Sequence, residues 1–262
     1  MIRLKDIKIT FGAQTVLEKK AICGISLNIE EGDFITVIGS NGAGKSSLLN
    51  AIAGDVKLTS GHIFIDDEDV TAKAAYDRSH AVARVFQDPL IGTCGDLSIE
   101  ENMALALNRG KTRGFNNALT LANKNLFKDV LKRLHLGLDK RLHASMSLLS
   151  GGQRQAVSLL MATLSPLKIL LLDEHTSALD PKTAAYVLKL TEDIVCEKKL
   201  TTLMVTHSLQ QALKIGNRTI ILHNGKLLYD VKGAERAKLT TQDLLEHFGK
   251  NIDDDRLLLD KA

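Results

Sequence analysis

The chain contains no tryptophan, and aromatic residues make up only 4% of it. Proteins that grip single-stranded nucleic acid stack bases on aromatic side chains, so that class of partner finds no platform here. Charge does not reverse this. Thirty-four Lys and Arg stand against 31 Asp and Glu, a net +3 that is too small to argue for a polyanion. Cysteine is also scarce. Cys23, Cys94 and Cys196 are odd in number and far apart; their spacing makes no metal site, and they suit a reducing compartment. No apolar run reaches the roughly 18 residues of a spanning helix. The opening MIRLKDIKIT lacks the apolar core of a secretory signal and alternates like a strand. What remains is the composition of a soluble globular protein, 44% hydrophobic and 25% charged over 262 residues. That length allows one large α/β domain, or a core with a sizeable insertion.

Hydrophobic periodicity divides the chain. Ile2, Leu4, Ile7 and Ile9 predict a strand, and residues 25–30 alternate in the same way. DFITVIG at 33–39 is a buried strand that feeds a glycine loop, and a helix follows with Gly54 as its stop. Residues 62–66 read as a short strand. From about 90 to 165 the pattern becomes helical. Ser98 and Glu101 form a capping box for a helix through Leu107, and Leu126, Val130, Leu131, Leu134 and Leu138 have helical spacing. Between them, residues 109–117 read as an exposed basic loop. After 167 the βα alternation returns, with buried strands at 168–174 and 200–207. Asp180-Pro181 opens a helix to about Lys199, and Asn224-Gly225 sits between apolar runs as a hairpin turn. A short helix near 241–248 and a polar tail close the chain. The fold class expected is α/β, with a largely parallel core sheet, antiparallel N-terminal strands and a helical insertion.

Four stretches carry chemistry. GSNGAGKS at 39–46 matches the phosphate loop at Gly39, Gly44, Lys45 and Ser46, between a strand and a helix as that loop requires. Its glycines let amides turn toward a phosphate chain, and the helix start adds positive potential. Lys45 would reach the β- and γ-phosphates and Ser46 would ligate Mg²⁺. ILLLDE ends a buried strand in two acids. Asp173 could hold Mg²⁺ through water and Glu174 could deprotonate an attacking water, although a solvated acid pair is the plainer reading of that stretch alone. His207 ends another buried strand; it is either structural or, at the carboxyl edge of a parallel sheet, a γ-phosphate contact. LSGGQ at 149–153 pairs a good N-cap, Ser150, with Gly151 and Gly152. It is either a simple capped helix or a second anion site. Gln87, in RVFQDP, is uninformative by itself.

Taken in order, Phe11, GSNGAGKS, Gln87, LSGGQ, ILLLDE, SALD at 177–180 and His207 resemble the ATP-binding subunit of an ABC transporter, an ABC-type P-loop NTPase. The resemblance covers nearly the whole chain. It implies one domain over 1–262: a RecA-like core at 1–87 and 167–248, a helical signature subdomain at 88–166, and a tail at 249–262. Phe11 would stack on adenine, with Ala21 a weaker apolar contact. Gly39, Ser40, Asn41, Gly42, Ala43, Gly44, Lys45, Ser46 and Ser47 would form the Walker A cradle for ATP. Gln87 would sense Mg²⁺ and the attacking water. Asp173 would be the Walker B aspartate, Glu174 the general base and His207 the switch histidine, with Lys45 also catalytic. Asp180 would belong to a dimer-contact loop. Ser150, Gly151, Gly152 and Gln153 would face the ATP held by a second copy of the chain. His175 departs from the family pattern, which places proline there to stiffen the turn.

The resemblance implies ATP and Mg²⁺ as ligands. Its implied partners are a second copy, an integral membrane permease and, indirectly, a periplasmic or lipoprotein substrate-binding protein. Nucleic acid is not implied, and the location would be peripheral, on the cytoplasmic face of a bacterial inner membrane. Stretches such as VFQDPLIGT and LLLDEHTSALDPKTA are similar to small uptake systems for tryptophan, tyrosine or related amino acids. Other readings are an exporter or lipid/lipoprotein-moving ATPase with the same core chemistry, a soluble ABC ATPase acting on DNA or ribosomes, and a P-loop kinase. The soluble class usually carries a coiled coil, zinc cysteines or two ATPase halves, and this sequence shows one phosphate loop and no CxxC. A kinase leaves LSGGQ and Gln87 unexplained.

Overall fold

A computed structural model describes residues 1–248 other than 113 and 116; the tail at 249–262 lies outside the described residues. In chain order its elements are β1 (Ile2–Phe11), β2 (Lys19–Ile29), β3 (Phe34–Gly39), α1 (Lys45–Ala53), β4 (Ser60–Ile65), β5 (Glu68–Asp69), α2 (Ala75–Arg78), β6 (Val82–Val85), α3 (Ile99–Leu107) and α4 (Leu121–Lys132). There follow α5 (Gly151–Ala162), β7 (Ile169–Asp173), α6 (Pro181–Lys198), β8 (Thr202–Val205), α7 (Leu209–Lys214), β9 (Arg218–His223), β10 (Lys226–Lys232), α8 (Gly233–Ala237) and α9 (Thr241–Phe248). The chain forms two compact units, one from Met1–Arg78 with the segment from Val195 onward, the other Ser79–Ile194.

The first unit holds two sheets. β2, β1, β4 and β5 are antiparallel, with β1 between β2 and β4. Alternating burial along β1 (Ile2, Leu4, Ile7, Ile9 inside) is what one packed face demands. The other sheet places β3 between β8 and β9, parallel to both, with β10 antiparallel on β9. All six residues of β3 are buried, which explains its unbroken apolar run. Helices α7 and α9 close over it: Ile38, Leu209, Ala212, Ile221 and Leu244 share a core. Arg78, 2% exposed, donates from Nη1 to the carbonyls of Ala51 (2.7 Å) and Ile52 (2.9 Å). It thereby satisfies carbonyls left over at the end of α1.

The second unit pairs β6 and β7 in parallel, from Val82 opposite Ile169 to Val85 opposite Leu172. Helix α5 packs against β6, α3 and α4. Ser98 and Glu101 make the expected capping box of α3, and Asp180 caps α6 by accepting from the Thr183 amide at 3.1 Å. The helical spacing that ran on to Leu138 stops at Lys132, and Leu138 lies in a separate 3₁₀ turn after Gly137 at φ 68°. Sequence reading did not resolve α2, α7, α8 or β5, all too short to show a period.

Candidate functional site

In the first unit the loop at 39–46 joins β3 to α1. Gly44 caps the helix at φ 102°, a conformation that strains any side chain. A Cβ there would also meet the Ala21 carbonyl oxygen at 2.6 Å. The loop is held from two sides. The Gly225 amide, in the β9–β10 turn, donates to the Ala43 carbonyl (3.0 Å), while the Gly225 carbonyl accepts from the Cys23 amide on β2 (2.7 Å). The hairpin turn thus fastens the loop to the antiparallel sheet, which no local sequence signal reveals. Lys45 is 6% exposed and donates from Nζ to the carbonyls of Gly39 (2.7 Å) and Ser40 (3.2 Å). A cation is therefore seated within the loop, with Ser46 exposed and Ser47 half-buried just inside α1. Phe11 ends β1 and is 42% exposed, whereas Ala21 is buried beneath the loop. His207 follows β8, and the neighbouring Thr206 amide donates to the Val37 carbonyl of β3 (3.1 Å).

The second unit carries Gln87, Ser150–Gln153, Asp173 and Glu174, and Ser177 links Gln87 to the Glu174 carbonyl. Asp173 ends β7, and its Oδ2 accepts from Nη2 of Arg84 on β6 at 2.6 Å. Glu174 has φ 47°, in the left-handed region, where a non-glycine residue costs about 1–3 kcal/mol. Ser177 compensates by donating to the Glu174 carbonyl from both its amide (2.9 Å) and its hydroxyl (2.8 Å). The Ser177 hydroxyl also accepts from Nε2 of Gln87 (3.1 Å). Gln155, fully buried in α5, donates from Nε2 to the Phe86 carbonyl (2.9 Å), so the helix that Ser150 starts holds the segment carrying Gln87. Ser150 caps α5: its hydroxyl accepts from the Gln153 amide (3.3 Å), and Gln153 Oε1 accepts from the Ser150 amide (3.1 Å). Gly152 lies where α5 meets α6, and a Cβ there would overlap the Thr183 methyl.

His175 is 2% exposed and its Nε2 lies 2.9 Å from Thr191 Oγ1 on α6. The Thr191 hydroxyl gives its proton to the Val187 carbonyl (2.9 Å), so it must accept from an Nε2–H. Burial pushes this imidazole down to about 4 from an ordinary 6.5, so it is neutral. Where proline would stiffen the turn by its ring, a buried hydrogen bond to α6 holds it here. Arg84, Gln155 and Thr191 were not singled out in the sequence, because each acts through a neighbour that only folding supplies; Ser177 in SALD and Gly225 in the hairpin turn stood out for their motifs, not for the contacts they make here.

Each unit separately carries groups that suit a nucleoside triphosphate with Mg²⁺. In the first, a glycine loop with a seated ammonium suits phosphate oxygens and Ser46 is a hard oxygen donor; in the second, Asp173 is a carboxylate of the kind that Mg²⁺ takes. Among the described residues no group of three or more His, Cys, Asp or Glu is placed to hold a metal, and Mg²⁺ commonly uses few protein ligands with phosphate.

The family model for the ABC transporter matches residues 22–177. The chain belongs to the ABC transporter family. It is 46% identical over 248 residues to a tyrosine transport ATP-binding protein of Clostridioides difficile, covering 95% of this chain and 98% of that protein. It is 37% identical over 198 residues to a thiamine import ATP-binding protein of Photobacterium profundum, covering 76% and 77%. Among solved structures it is similar to the dimeric post-hydrolysis state of an ATP-binding cassette bound to ADP and Pi. That match has TM-score 0.73 and 28% identity, and covers 88% of this chain and 98% of that one. As an ABC cassette the chain is a P-loop ATPase of mixed α/β fold, with an antiparallel N-terminal sheet and a parallel core sheet. ABC ATPases bind ATP, generally with Mg²⁺, and typically dimerise and partner with membrane permeases. No helix among the described residues is long and apolar enough to cross a membrane.

Proposed function

We propose that this chain is the ATP-hydrolysing subunit of an importer for an amino acid of the tyrosine or tryptophan type, working as a homodimer that drives an integral membrane permease. The observation that carries the cargo class is the 46% identity, over nearly the full length of both chains, to a tyrosine transport ATP-binding protein. In this reading the functional core is 1–87 with 167–248, the helical signature subdomain is 88–166, and 249–262 is a tail. A periplasmic or lipoprotein binding protein delivers the solute, and the chain sits on the cytoplasmic face of the membrane.

The roles follow the chemistry of each group. Phe11 stacks on adenine. Residues 39–47 cradle the phosphates, Lys45 neutralises their charge, and Ser46, Gln87 and Asp173 hold Mg²⁺. When bound there, Mg²⁺ would neutralise charge on the phosphate oxygens. Glu174 takes the proton of the attacking water, and His207 hydrogen-bonds the γ-phosphate. Ser150 to Gln153 present a capped helix start to the ATP of the partner copy. The contacts of Gln87 and Gln155 support a link between that helix and the catalytic strand end. The exposed apolar pair Leu90 (60%) and Ile91 (66%), just after Gln87, suits a permease helix.

Glu174→Gln tests the chemistry. Turnover should fall about 10²–10⁴-fold, ATP binding should persist, and size-exclusion chromatography should show a trapped dimer. Hydrolysis at the parental rate refutes the general-base role. Labelled tyrosine and tryptophan uptake in a deletion strain tests the cargo; unchanged uptake of both removes that assignment.

A further inference from the structure

The first-strand partner of the catalytic strand end carries a cation that the proposed hydrolysis does not use. Arg84 lies on β6, beside β7, in register with Leu171. Its Nη2 contacts Asp173 Oδ2 at 2.6 Å, and the two side chains are only 12% and 13% exposed. The guanidinium carbon also lies 4.7 Å from the centre of the Phe86 ring. The group is thus fixed by strand pairing below, by an aromatic face beside it and by the carboxylate ahead. A guanidinium so held loses little side-chain freedom on pairing. An acid whose task is to attract a divalent ion is instead already neutralised by the protein.

We propose that Arg84 is an internal counter-ion of Asp173 that weakens and tunes Mg²⁺ binding at this carboxylate. This rests on the reading of Asp173 as the Mg²⁺ carboxylate. Two effects of Arg84 oppose each other. It holds the carboxylate in one orientation, which favours the metal, and it places a like charge within a few ångströms of the incoming ion, which disfavours it. The electrostatic effect is the larger. Even at near-aqueous dielectric, a unit charge beside a divalent ion changes affinity on the order of tenfold, whereas orienting one short Asp side chain, which β7 already anchors, changes it less. The consequence is an ATPase whose metal is easily exchanged and whose Asp173 is never left as an uncompensated half-buried charge.

The test is Mn²⁺ titration followed by electron paramagnetic resonance, on the full chain loaded with ATP and carrying Glu174→Gln to slow hydrolysis. In that background Arg84→Met and Arg84→Gln should each bind Mn²⁺ about tenfold more tightly, while Arg84→Lys, which keeps the charge, should stay near the parent. Asp173→Asn should weaken Mn²⁺, and adding Arg84→Met to it should recover part of the loss, because the guanidinium repels the ion directly. Binding of ATP in EDTA and the circular dichroism spectrum report whether each variant is folded; two charge-free variants guard against one that is not. If Asp173→Asn weakens Mn²⁺ but neither charge-free Arg84 variant tightens it, the counter-ion role is overturned and the metal assignment stands. If Asp173→Asn leaves Mn²⁺ binding unchanged, both fall.

Discussion

His175 should make this protein acid-labile by a calculable amount. Its imidazole is buried, donates to Thr191, and is pushed down to about 4 by loss of hydration, against 6.5 as the ordinary value. The folded-state value lies below the unfolded one, so the unfolded chain binds the extra proton. The stability due to the neutral imidazole is whole above about pH 6.5 and is lost as pH falls toward 4. Between pH 7.5 and pH 5 the unfolded state becomes almost fully protonated at this residue and the folded state hardly at all. The linkage difference is about 2 kcal/mol, equivalent to about 4–8 °C in melting temperature for a domain of this size. Other groups titrate in the same range, so the comparison is with His175→Gln, which cannot take a proton and keeps an N–H for Thr191. Thermal unfolding of both proteins at pH 7.5 and pH 5 isolates the residue. The parent should lose about 4–8 °C more than the variant on acidification. If the two melting temperatures fall in parallel, His175 is not a buried neutral imidazole and the reasoning fails.

Other changes probe other parts of the molecule. Ser150→Arg removes the cap of α5, which costs about 1 kcal/mol, and would block the helix start that is proposed to face the partner's ATP. ATP binding should survive and hydrolysis should stop, and normal turnover would sink the partner-facing role. Gly225→Ala forces a Cβ to 2.8 Å from the Ala21 carbonyl oxygen at φ 72°. Stability should drop by about 1–3 kcal/mol and ATP affinity should fall with it, since Gly225 holds the loop; calorimetric titration with unaltered affinity would show that the anchor is dispensable. Thr191→Val removes the acceptor for His175 and leaves a buried N–H unpaired. Chemical denaturation should show a loss of about 1–3 kcal/mol, and the double variant with His175→Gln should lose less than the sum of the two singles.

Much of the fold is written locally. The unbroken apolar run 34–39 buries β3 on both faces, Ser98 with Glu101 caps α3, and Asn224-Gly225 turns the last hairpin with both residues at positive φ. Each works because the physics acts within a few residues: side-chain period, amide capping and turn sterics. The same holds for the motif residues, whose types and order carry the resemblance to an ABC ATPase. What stayed hidden depends on long separations. Arg84 reaches Asp173 across 89 positions, Gln87 reaches Ser177 across 90, and Gln155 reaches Phe86 across 69.

His175 shows the boundary most clearly. The sequence determined that a proline was missing after the candidate base, because identity at one position is local information. Only the tertiary structure decided what replaced it. Whether that histidine is a solvated pH sensor or a neutral buried strut depends on helix α6 bringing Thr191 to its Nε2 and excluding water, and a chain read residue by residue carries no measure of how much water is left.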